Sequence, residues 1–179
     1  MKIRIISGAH GGRMIDTPPA RRTHPMSSRA RGALFNSLAQ EVRGATVLDA
    51  FAGSGALGLE ALSRGASSAV LVEKDRVAAR IISQSITLLR LGEQAKVVCA
   101  SVKSWLGTNP DAMFSLIFAD PPYHDLQHDS IRALAQRLAA GGVLVLSWPN
   151  DEKPLTLPDL VIYRQRSYAG AQIIFYQHK

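Results

Sequence analysis

Five short apolar runs recur along the chain: Val47–Phe51, Ala69–Glu73, Lys96–Ala100, Ser115–Ala119 and Val143–Trp148. Their near-continuous apolar character predicts strands buried on both faces. Helical spacing fills the gaps between them. Ala56–Arg64 has good helix formers. Asp75 caps a helix reaching about Leu91, with Val77, Ile81 and Leu88 on one face and Gly92 as its stop. Val102–Leu106 forms a short helical turn. Gln127–Ala140 forms a helix with Ile131, Leu134, Ala135 and Leu138 inward, closed by Gly141-Gly142. Repeated strand–helix units imply a parallel sheet covered on both faces, with ligands at the carboxyl ends of its strands.

Both ends depart from this alternation. Lys2–Ile6 alternates like a half-exposed strand, Gly8–Gly12 turns, and Arg13–Ile15 returns, which predicts a small hairpin. Thr17–Pro25, with three prolines, reads as an extended linker. Ser27 or Ser28 caps a helix to about Gln40, with Ala30, Leu34 and Leu38 as its stripe and Phe35 beside it. Gly32 inside that helix costs roughly 1 kcal/mol relative to alanine. At the other end, Leu160–Tyr168 and Ala171–Gln177 are separated only by a turn around Gly170. Strands joined so briefly pair antiparallel.

Charge changes the picture at one place. The net charge is +7, yet residues 1–31 hold seven basic side chains against one acid, while residues 32–179 hold 14 against 13. A basic segment of this kind points to a polyanionic partner. No apolar run approaches the roughly 18 residues of a membrane span. The charges within MKIRIISGAH argue against a signal peptide. The single cysteine, Cys99, suits a reducing cytoplasm and reads as a buried structural thiol in KVVCA. No repeat or low-complexity segment is visible.

The chemistry begins at VLDAFAGSGALGLE. A strand, a glycine turn and a helix N-terminus build a ligand site lined with backbone N–H groups. Gly53-x-Gly55-x-x-Gly58 fits a dinucleotide turn. Asp49, before that turn, favours a cofactor carrying a cationic ammonium over a diphosphate, so S-adenosylmethionine (SAM) leads and NAD remains open. Glu73 ends the second strand and can accept from both ribose hydroxyls of either cofactor. Ser101 follows the third strand, in a position that resembles the one where SAM enzymes often contact adenine with Asp or Asn.

A second motif, Asp120-Pro121-Pro122-Tyr123, closes the fourth strand. The prolines remove two N–H donors and leave carbonyl acceptors. Acceptors beside the aromatic plate of Tyr123 suit an unstacked base with an exocyclic amine. A carboxylate accepts only, so Asp120 matches the adjacent N1–H and N2–H donors of guanine. Adenine and cytosine, with an amine beside a ring acceptor, suit an amide better. His124 and His128 stand at i, i+4 without a third ligand nearby, and no metal is expected.

The pieces RIISGAHGGR, SRARGALFNSL, VLDAFAGSGALGLEALSRGA, LVEKD, FADPPY and SYAGAQIIFY together resemble the RsmD family of bacterial 16S rRNA (guanine-N2)-methyltransferases. The resemblance implies an α/β, Rossmann-like class I methyltransferase fold. Its sheet has seven strands, is mostly parallel, and ends in an antiparallel hairpin. It implies a division at residues 1–26, a basic hairpin and linker, and 27–179, the SAM-dependent domain. By motif match Asp49, Gly53, Gly55 and Glu73 hold SAM, with Ala52, Lys74 and Ser101 beside them. Asp120, Pro121 and Tyr123 hold the guanine. Arg4, Arg13, Arg21, Arg22, Arg29 and Arg31 grip RNA phosphates. The implied partner is 16S rRNA or the small ribosomal subunit, met in the cytoplasm by a monomer. The family's R-P-T-x-D-R-x-R-E-like run reads HPMSSRARG here, with His24, Met26, Ser28 and Gly32 as departures. Methylation of adenine or cytosine, and a non-catalytic RNA-binding assembly role, are the alternatives.

Overall fold

The five apolar runs lie side by side. A computed structural model describes residues 1–19, 26–168 and 170–179. β1 (Lys2–Arg4) and β2 (Met14–Asp16) form the small antiparallel hairpin. The main sheet contains β3 (Thr46–Asp49), β4 (Ser68–Glu73), β5 (Ala95–Cys99), β6 (Phe114–Ala119), β7 (Leu138–Pro149), β8 (Leu160–Tyr168) and β9 (Ala171–His178). Its order is β5-β4-β3-β6-β7-β9-β8, with parallel pairs up to β7 and antiparallel pairs from β7 to β9 and β8. This is the fold of class I SAM-dependent methyltransferases. The chain steps outward from β3 to β5, then restarts at β6 on the other side of β3. A crevice opens where the winding reverses, at the carboxyl ends of β3 and β6.

Alternation along the strands sorts the core into two layers. Val47, Leu71, Leu116, Phe118 and Val145 face α1 (Ser28–Ser37), α2 (Ala56–Ser63), α3 (Arg76–Leu88) and the hairpin. Leu48, Val72, Ile117, Leu144 and Leu146 face α4 (Val102–Thr108) and α5 (His128–Ala135). Phe35 of α1 meets Phe118 with ring centroids 5.5 Å apart, both rings buried. The hairpin joins the first layer through Ile5 and Ile15. Glu60 of α2, fully buried, ties it down: its carboxylate accepts from Ile6 N at 2.7 Å and Ser7 N at 3.1 Å.

Several local expectations are corrected. The helix expected over Gln127–Ala140 ends at Ala135, and Leu138 opens β7 opposite Phe114. Leu138 is buried as expected, but by strand pairing. The inward face of α3 is Ala78, Ile82, Ser85 and Ile86, while Val77 and Leu88 are exposed. That helix stops at Arg90, at φ 58°, rather than at Gly92. Bonds from Arg90 N to Thr87 O and from Leu91 N to Ile86 O close its last turn. α1 ends at Ser37, short of Gln40. Cys99 is exposed, because β5 is an edge strand and its last residue has no further strand beside it. The linker residues 20–25, including Arg21, Arg22 and His24, lie outside the described residues.

Candidate active site

Parallel register places the two motifs together. Asp49 pairs with Phe118 and Leu71 across β3, and Ala119 pairs with Leu146 across β6 and β7. Strand parity then sets Glu73, Asp49, Asp120 and Ser147 on one face, in a row along the carboxyl rim of four adjacent strands. Above them opens a cleft of about 1380 Å³. That exceeds the range of roughly 300–1,000 Å³ for a single small ligand, so cofactor and base can share it.

The glycine turn forms one wall. Gly55 stands at φ 76° as the cap residue of α2, and a Cβ there would sit 3.2 Å from Ile82 Cγ1. A Cβ at Gly58 would come within 2.8 Å of Leu71 Cδ2 and 3.3 Å of Asp49 Oδ2. The first turn of α2 is therefore pressed against β3 and β4. Ala52 and Gly53 line the cleft. Gly53 N donates to Glu73 Oε2 at 2.8 Å, and Asp75 N donates to Glu73 Oε1 at 2.8 Å. Each Glu73 oxygen keeps a lone pair for a ribose hydroxyl. Lys74 and Ser101 also line the cleft. Ser101 Oγ accepts from Ser104 N at 3.1 Å to cap α4, which leaves its O–H free to donate.

Asp49 lies beneath this wall rather than on it. It is 1% exposed, and Oδ2 accepts from Gly58 N at 2.9 Å. Burial pushes its carboxyl up to about 7; the Gly58 bond opposes this, and the nearby Asp120 and Glu73 charges add to it. A buried acid in this state gains from a cation placed above it, since buried pairs are weakly screened. The ammonium of a methionine moiety is such a cation. Together, the turn, Glu73 with its spare lone pairs and the buried acid fit SAM.

The opposite wall carries Asp120, Pro121, Pro122 and Tyr123. Burial also raises the Asp120 carboxyl, and the neighbouring Ser147 hydroxyl opposes this. Tyr123 is 44% exposed, with its ring at the cleft and its hydroxyl 3.0 Å from Ser147 Oγ. Ser147 was missed by sequence reasoning. Its only signal was a hydroxyl interrupting the apolar run VLVLSW at a strand end, the same kind of interruption that marks Asp120 in SLIFAD.

The arginines divide. Arg29 lines the cleft from α1 and is exposed. Arg4 and Arg13 are exposed on the hairpin. Arg13 Nη2 donates to Leu88 O at 3.2 Å, at the end of α3 and therefore toward the amino rim of the sheet. Arg31 departs from expectation. It is 1% exposed, donates to the Arg4 carbonyl, and holds Nε 3.8 Å from Glu60 Oε2. The guanidinium joins α1, α2 and the hairpin; it also lines the cleft, with Nε and Nη1 buried and without a hydrogen-bond partner among the described residues. Among the described residues no group of three His, Cys, Asp or Glu could hold a metal, and no helix is long and apolar enough to cross a membrane.

A family model described as "Conserved hypothetical protein 95" matches residues 3–177. YlbH of Bacillus subtilis is 30% identical over 99% of this chain and 100% of its own length. Ribosomal RNA small subunit methyltransferase D of Escherichia coli is 41% identical over 122 residues, 68% of this chain. The chain belongs to the RsmD family. The match spans about 61% of the length of that E. coli member. The solved E. coli yhhF protein superposes with a TM-score of 0.90 at 33% identity, covering 100% of this chain and 99% of that one. Within the RsmD fold, the cleft between β3 and β6 is where the two motifs meet.

Proposed function

We propose that this chain transfers a methyl group from SAM to the exocyclic N2 of a guanine in small-subunit ribosomal RNA. One observation carries the reading: an Asp-Pro-Pro-Tyr wall rich in acceptors faces a glycine turn across a single cleft large enough for both reactants. The naming of the E. coli relative as a ribosomal RNA small subunit methyltransferase supports the RNA substrate.

The residues divide the work. Glu73 accepts the ribose hydroxyls, Ala52 and Gly53 contact the cofactor through backbone, and Lys74 and Ser101 border it. SAM supplies an electrophilic methyl on a sulfonium and leaves as a neutral thioether. Asp120 and the Pro121 carbonyl accept the protons of the amine. The N2 lone pair is delocalised into the purine, and these acceptors favour the more localised form reached in the transition state. Tyr123 stacks on the base and holds it in line. Nitrogen becomes cationic as it gains the methyl, then loses one proton to the Asp120 side of the cleft. Arg29 at the cleft, with Arg4, Arg13, Arg21 and Arg22, supplies phosphate contacts. The chain acts as a monomer in the cytoplasm, without a metal.

Incubation with unmodified small-subunit RNA and labelled SAM, followed by nucleoside analysis, tests the reading. N2-methylguanosine at one position is expected. N6-methyladenosine or N4-methylcytidine would favour the other amine substrates. No SAM binding at millimolar concentration would favour a non-catalytic RNA-binding role.

A further inference from the structure

We infer that Ser147 is a positioning residue for methyl transfer: its hydroxyl links the Tyr123 phenol to the Asp120 carboxylate and fixes both against the base. The inference rests on the guanine reading above and adds a residue to it.

Strand register brings the three groups together. Leu146 pairs with Ala119, so Ser147 stands beside Asp120, one step past the last paired residues. Both project to the same face, with Phe118 and Val145 preceding them in that layer. On the other side of β7, Ser147 pairs with Ile173 of β9. The hydroxyl is thus enclosed on a buried strand, with Ser147 only 5% exposed. A buried hydroxyl needs partners. Here Tyr123 Oη is one, at 3.0 Å, and the Asp120 carboxylate stands beside the hydroxyl on the neighbouring strand.

Proton counting gives the chain a direction. An ionised Asp120 can only accept. Ser147 has one proton, so to bond Asp120 it must donate there. Its remaining bond to Tyr123 then requires the phenol to donate. The order is Tyr123 to Ser147 to Asp120, and it holds only while Asp120 is a carboxylate. Ser147 offsets part of the desolvation that disfavours that charge. A carboxylate oxygen that accepts from Ser147 leaves the other to meet N1–H and N2–H of guanine. The same bond stops the Tyr123 ring from swinging, although that ring is 44% exposed and follows two prolines. Effects of orientation on this scale act on the transition state more than on cofactor binding.

Four variants test this: Ser147→Ala, Tyr123→Phe, the double variant, and Ser147→Thr, each assayed with small-subunit RNA and SAM. Ser147→Ala is expected to lower kcat by roughly ten- to a hundredfold, with the SAM KM changed by less than about twofold. Tyr123→Phe should show a comparable loss, and the double variant should be no worse than about threefold below the weaker single one. Ser147→Thr keeps the hydroxyl and should recover most of kcat. Full kcat in Ser147→Ala, losses that multiply in the double variant, or no recovery with threonine would each overturn the inference. So would a fall in SAM affinity and melting temperature matching the fall in kcat. Failure of the unaltered protein to make N2-methylguanosine is a separate result: it removes the guanine reading, and this inference with it.

Discussion

Asp49 gives the structure its most direct pH test. Its carboxyl is buried beneath the glycine turn and pushed up to about 7, from an ordinary 3.8. The unfolded chain releases this proton near 3.8, whereas the folded, cofactor-free protein keeps it until about 7. The folded state therefore binds more protons between those values, and stability falls as pH rises through that window. At 1.36 kcal/mol per pH unit the whole difference is on the order of 4 kcal/mol. Integration of the two titrations leaves about 2 kcal/mol of it at pH 5.5 and almost none at pH 8. Asp49→Asn keeps an acceptor for Gly58 N and cannot ionise. Urea unfolding of both proteins at pH 5.5 and 8, without SAM, reads the effect. The unaltered protein should lose about 2 kcal/mol more than the variant across that range. Parallel pH profiles for the two proteins would refute the assignment of the buried titration to Asp49.

Four further outcomes follow from the same geometry. The cationic methionine end of SAM favours ionised Asp49, so SAM affinity should rise between pH 5.5 and 7 by roughly tenfold; calorimetry in two buffers should also detect proton release, and Asp49→Asn should show neither effect. Asp120→Ala should abolish transfer in a radiolabel assay while leaving SAM affinity within several-fold. Gly58→Ala drives a methyl toward Leu71 and Asp49 and should cost about 1–3 kcal/mol in denaturant unfolding, with weakened SAM binding; unchanged values would mean that α2 can move off the sheet. Replacing Arg21 and Arg22 by serine should weaken RNA binding and reduce the slope of log affinity against log salt by roughly one to two; an unchanged slope would place the linker away from phosphate.

Much of the fold was legible because its causes are local. Apolar runs, glycine turns and the Ser27 and Asp75 caps act within a few residues. The five central strands, both terminal hairpins and the sheet type followed from them. The two motifs were equally legible, since an acid that interrupts a buried strand must answer to something nearby. The inward face of α3 was not, because two of its nominated apolar residues, Val77 and Leu88, stay exposed while Ser85 is buried. Helix ends were also misplaced: Arg90 took the left-handed position assigned to Gly92, and Leu138 left its helix to pair with Phe114.

The sequence by itself determined which residue types stand at each strand end, and so what kind of chemistry the rim can perform. Only the tertiary structure decided how those ends are ordered. Strand pairing set Glu73, Asp49, Asp120 and Ser147 in one row, although Asp49 and Ser147 lie 98 positions apart in the chain. It gave Arg31 to Glu60 instead of to solvent and exposed Cys99 on an edge strand. Burial, pairing and register are properties of neighbours distant in the chain, and no local pattern encodes which neighbour a side chain meets.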